Sequence, residues 1–115
     1  MNGLRARAFL LLRKPQGRLG VWLGGHREYV GGLWEEIGKL QFDFMLRMGL
    51  RPEHVLLDIA CGSLRGGRHF IPYLDRGNYL GIEKEASLLR AGIRQELGRK
   101  LLTQYAPEFV ISDSF

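Results

Sequence analysis

Three acidic residues each end a short apolar run. Val55-Leu56-Leu57 leads into Asp58 and Ile59, Tyr79-Leu80-Gly81-Ile82 into Glu83, and Phe109-Val110-Ile111 through Ser112 into Asp113. Runs of this length and composition read as parallel strands, the first of them covered on both faces. In open α/β sheets, ligands bind outside the carboxyl ends of the strands. A carboxylate there can accept from two vicinal hydroxyls at once, or face a cation. Taken singly, each acid reads as well as a solvated strand-end residue; three at successive strand ends favour a site.

The first run continues into Ala60-Cys61-Gly62-Ser63-Leu64-Arg65-Gly66-Gly67. Glycines here let backbone approach a ligand closely and expose N–H groups at the start of a helix. Glu83 follows Gly62 by 21 residues, about the spacing of an acid that takes ribose hydroxyls. The turn does not match the G-x-G-x-x-G spacing of nicotinamide and flavin sites. Asp58, lying before the turn, suits a cationic ligand better than a pyrophosphate. A cofactor with a sulfonium, an α-ammonium group and adenosine meets both charge requirements, and S-adenosylmethionine is that cofactor.

Other reactive side chains are few. Cys61, the single cysteine, sits inside the strand-to-turn segment and reads as a small buried residue rather than a nucleophile. His26, His54 and His69 are scattered, with no second cysteine to complete a zinc pattern, so no metal is expected. His69 lies near Arg65 and Arg68 and reads as structural rather than as a general base.

The elements that must position these groups follow from periodicity. Trp34, Ile37, Leu40, Phe44 and Met48 give one apolar face to a helix from Leu33 to about Met48, with Glu35 and Glu36 in its first turn and Gly49 as its stop. A short helix is expected from about Gly66 to Leu74, kinked or shortened by Pro72, which removes a backbone donor. A long helix runs from Glu85 to Leu102, with Ala86, Leu89, Ile93, Leu97 and Leu101 on one face, and ends before Pro107. Right-handed crossovers then place the strands in the order 3-2-1. The fold class is α/β: a parallel sheet with flanking helices.

At 115 residues the chain is at most one small domain. Its net charge of +5 is uneven. Residues 1–27 hold six basic and no acidic side chains, and the remainder holds 11 basic and 12 acidic. This separates a basic arm (1–27) from a body (28–115). One cysteine fits a reducing, cytoplasmic compartment. The arm's apolar block, Ala8 to Leu12, is too short to span a membrane, which takes about 20 apolar residues. Residues 1–14 read first as a frayed terminal helix, next as a peripheral membrane-surface helix, and last as a nucleic-acid arm, which the lack of interleaved aromatics disfavours. Trp22, Tyr29 and Trp34 read as anchors of a glycine-rich connector onto the body, with a cavity-lining role for Tyr29 or Trp34 as the alternative.

Asp58-Ile-Ala-Cys-Gly-Ser-Leu-Arg-Gly-Gly67 resembles the first motif of class I S-adenosylmethionine-dependent methyltransferases, which have a Rossmann-like sheet. More narrowly, it resembles a bacterial-type subgroup that also shares Tyr29-Val-Gly-Gly-Leu-Trp34, Gln41-Phe-Asp-Phe44 and Gly81-Ile-Glu83. The resemblance covers about residues 28–115. It implies that Asp58, Ala60 and Gly62 border the methionine part of the cofactor, that Glu83 holds the ribose hydroxyls, and that Asp113 lies near the adenine amino group. Ala60 and Leu64 stand where the family has glycine. The family's sheet has seven strands in the order 3-2-1-4-5-7-6, so a chain with three strands is expected to be its N-terminal part. Its first strand would then be an apolar edge open to self-association. Methyl transfer to an unidentified acceptor is the activity implied. The alternative is a non-catalytic cofactor-binding or interaction module, membrane-peripheral through the arm.

Overall fold

The structure is a computed structural model that describes residues 25–29 and 33–114. Trp22, the side chain of Tyr29 and the whole 1–14 segment lie outside the described residues. The elements in chain order are α1 (His26–Tyr29), α2 (Trp34–Arg47), β1 (Leu56–Ile59), α3 (Gly67–Tyr73), β2 (Tyr79–Glu83), α4 (Ala86–Gly92), a π turn (Ile93–Leu97), α5 (Gly98–Tyr105) and β3 (Glu108–Ile111). The fold is α/β. The three strands form one parallel sheet with β2 in the middle, as crossover handedness predicts. Asp58 pairs with Gly81, and Glu83 with Ile111, so the carboxyl ends share one edge.

Register divides the side chains between two faces. Leu56, Asp58, Tyr79, Gly81, Glu83 and Phe109 share one face. This face meets a core that includes Leu64, Phe70, Ile71, Leu74, Leu89 and Leu97. Leu57, Ile59, Ile82 and Val110 share the other, where Leu57 is 50% and Ile59 55% exposed. The expectation that β1 is covered on both faces is therefore corrected. Among the described residues the sheet is covered on one face, and β1 is an edge strand.

Two helices also depart from expectation. In α2 the buried positions are Trp34 and Gly38, while Phe42 and Met45 pack against the core. Leu40, Phe44 and Met48, expected inside, are exposed. The helix is rotated because Gly38 approaches the turn after β1 so closely that an added Cβ would lie 2.5 Å from the Arg65 carbonyl oxygen. The single long helix expected over 85–102 is interrupted. The chain widens into a π turn and restarts at Gly98, whose φ of 73° only glycine adopts readily. α3 runs through Pro72 to Tyr73, and Leu74 N–H still bonds the Phe70 carbonyl at 3.0 Å. No helix of the described residues is long and apolar enough to cross a membrane.

Candidate functional site

The turn after β1 is the centre of the site. Cys61 N–H extends the ladder to Ile82 O at 3.0 Å, and the backbone then passes through left-handed conformations at Ala60, Gly62 and Leu64 (φ 59°, 60° and 71°). The two positions where the resembled family has glycine, Ala60 and Leu64, thus adopt the conformation that favours glycine. A left-handed non-glycine residue costs about 1–2 kcal/mol. Complete burial of the Leu64 side chain offsets this, since a buried leucine contributes about 1.5–3 kcal/mol. Two helices close on the turn at backbone distance, α2 through Gly38 and α4 through Gly92. α3, which follows, has only seven residues, so the turn itself is the site and not a helix N-terminus.

Glu83 is brought to this turn. Its Oε1 accepts from Gly62 N–H at 2.9 Å, and its Oε2 from the N–H groups of Lys84 (3.0 Å) and Glu85 (2.9 Å). Glu83 is 6% exposed. A carboxylate offers about four acceptor positions, so one lobe of Oε1 stays open with the turn in place. Asp58 lies one strand away, where its Oδ2 accepts from the Tyr79 hydroxyl at 2.6 Å. Burial pushes the Asp58 carboxyl up, and the Tyr79 bond partly opposes that. Burial, with Asp58 and Glu83 nearby, pushes the Cys61 thiol up to about 12, so it stays protonated and is no nucleophile at neutral pH.

Asp58, Ala60 and Gly62 line one cavity of about 130 Å³, together with Ser63, Arg65 and Gly66. An apolar groove of about 270 Å³ adjoins it and shares Gln41, Asp58 and Gly66. The groove's walls come from α2, β1 and α3. Of the five cofactor residues expected from sequence, three therefore share a cavity and Glu83 is tied to its turn. Asp113 is exposed two residues beyond β3, at the same sheet edge but outside both cavities. His69 stacks on Phe42 at 5.6 Å and lines neither cavity. Among the described residues no three metal-ligating side chains converge.

Sequence reasoning missed a second cluster behind the turn. Ser63 Oγ is 2.8 Å from His26 Nδ1, and His26 Nε2 is 3.2 Å from Glu96 Oε1. Arg27 holds Glu96 through two bonds of 2.8 and 2.9 Å and lies over the Trp34 ring. Arg68 reaches Glu35 at 2.9 Å. Trp34 itself is buried, packs edge-on to His26, and lines neither of these two cavities. No short-range signal could have found this group, since Arg27 and Glu96 are 69 residues apart. No protein-family model matches the chain.

Proposed function

We propose that the chain carries the cofactor site of an S-adenosylmethionine-dependent methyltransferase on a Rossmann-like sheet. One observation supports this above the rest: the acid ending β2 meets the backbone N–H of the glycine turn that follows the neighbouring strand β1. That arrangement puts a hydroxyl-accepting carboxylate beside a turn whose backbone a ligand can approach closely. In this reading the open lobe of Glu83 Oε1 takes one ribose hydroxyl, and the second displaces the Gly62 N–H. Asp58, Ala60 and Gly62 border the methionine end, and Asp113 faces the adenine amino group. Methyl transfer would proceed in line from the sulfonium, helped by proximity and orientation. Neither Cys61, which is held protonated, nor His69, which lines neither cavity, takes the part of a general base in this reading.

Calorimetric titration with S-adenosylmethionine and its demethylated product is expected to show one-site binding, and titration with NADH none. Glu83→Gln should weaken binding about tenfold to a hundredfold, the value of one charge-assisted hydrogen bond. A folded sample that takes up neither compound, and is indifferent to Glu83→Gln, rules the reading out.

A further inference from the structure

We propose that His26 is a positioning residue of the glycine turn: through Ser63 it holds the backbone from Cys61 to Leu64 in its ligand-accepting path, and only while its imidazole is neutral. The inference rests on the cofactor reading above. His26 is 2% and Ser63 0% exposed, so neither can exchange its partner for water. Ser63 lies between Gly62, which borders the cavity, and Leu64, whose left-handed backbone is held by burial. The carbonyl of Ser63 is pressed against Gly92 from the far side. A change at the Ser63 side chain has nowhere to be absorbed except along the turn.

The proton positions follow from the partners. Glu96 is held ionised: burial opposes this, but the Arg27 bonds and the charges of Arg27 and Arg68 outweigh it. An ionised carboxylate only accepts, so Nε2 carries the imidazole proton, and Nδ1 accepts from the Ser63 hydroxyl. Protonating Nδ1 turns this acceptor into a donor. The Ser63 hydroxyl proton must then point elsewhere in a site closed to solvent, at the cost of a buried unsatisfied donor.

Burial opposes that protonation, and the charged groups around the ring divide, with Glu96 favouring it and Arg27 and Arg94 opposing it. Arg27 on α1, Arg68 on α3 and Arg94 on the π turn carry positive charge, against Glu35 on α2 and Glu96. Burial is the largest influence and lowers the His26 pKa. Glu96 raises it, while Arg27 and Arg94 lower it further, and the net direction is down. A histidine depressed in the folded state is neutral there, and the unfolded chain takes up the proton first. The ordered turn is therefore fully stable above the ordinary histidine range and loses stability as pH falls through and below it.

The test follows the backbone amide resonances of Gly62, Ser63 and Leu64 by NMR from pH 7.5 to 5, alongside S-adenosylmethionine affinity over the same range. It uses the full chain and His26→Asn, which keeps an acceptor near the Nδ1 position but does not titrate. In the wild type the three amides should shift together with one midpoint below the usual histidine value. Affinity should fall about fivefold or more with the same midpoint, a modest coupling between sites. In His26→Asn both changes should vanish while binding at pH 7.5 is largely kept. Turn amides that do not follow His26, or that titrate equally in His26→Asn, overturn the inference whatever the ligand does. Amides that follow His26 in a protein that binds no S-adenosylmethionine at any pH overturn the cofactor reading, and with it the ligand role of His26.

Discussion

Gly92→Ala is expected to destabilise the domain by about 3 kcal/mol, the upper end of the range for overpacking a core. The added methyl carbon would lie 2.3 Å from the Ser63 carbonyl oxygen, 2.5 Å from its carbon and 2.7 Å from its Cα. All three are backbone atoms of a turn already closed in by Gly38 from α2, so no side chain can rotate out of the way. α4 must move outward, which loosens Leu88 and Leu89 beside it, both buried. For a domain this size the melting temperature should fall by more than about 10 °C. Gly77→Ala is the control. Gly77 has a φ of 84° but open space around it, so it should cost only about 1 kcal/mol from backbone strain. Equal effects of the two substitutions, measured by urea unfolding, would show that α4 does not meet the turn at backbone distance.

Glu83→Ala should cost a similar amount by another route. The alanine leaves the N–H groups of Gly62, Lys84 and Glu85 without the carboxylate that now satisfies all three. A hydrogen bond to a charged acceptor contributes about 1.5–3 kcal/mol. Lys84 is exposed and its N–H can turn to water, whereas Gly62 is half-buried. A net loss of about 3 kcal/mol is therefore expected. Glu83→Gln should lose less than half of that, because one oxygen still accepts. Hydrogen exchange at Gly62 is the sharper readout. It should quicken markedly in Glu83→Ala and only modestly in Glu83→Gln, and an unchanged rate in both would contradict the contact.

Much of this was legible in the chain. The ends of β1 at Ile59, one residue past Asp58, of β2 at Glu83 and of β3 at Ile111, the turn between Ala60 and Gly67, and the parallel order all follow from short apolar runs, glycine placement and crossover handedness. The facing of α2 was not legible. Trp34, Ile37, Leu40, Phe42, Phe44, Met45 and Met48 wrap most of the helix, so periodicity admits two faces. The choice goes with Gly38, where α2 meets the turn at backbone distance. The π turn escaped for a related reason. The sequence 85–102 keeps helical spacing throughout, while the widened turn carries Glu96, which meets Arg27 and His26 from far along the chain. Such long-range ion pairs leave no trace in local pattern.

The sheet face left bare among the described residues bears on how this protein would be judged in solution. Leu57, Ile59 and Val110, with Leu40 and Phe44 on α2, offer apolar surface in the fully ordered state. A dye such as anilinonaphthalene sulfonate, whose fluorescence is usually read as a sign of a molten globule, should light up on the native protein. It should do so while near-ultraviolet circular dichroism from the buried Trp34 and Tyr79 stays intact. Dye binding alone would then report the sheet face left uncovered among the described residues, not a loss of folding.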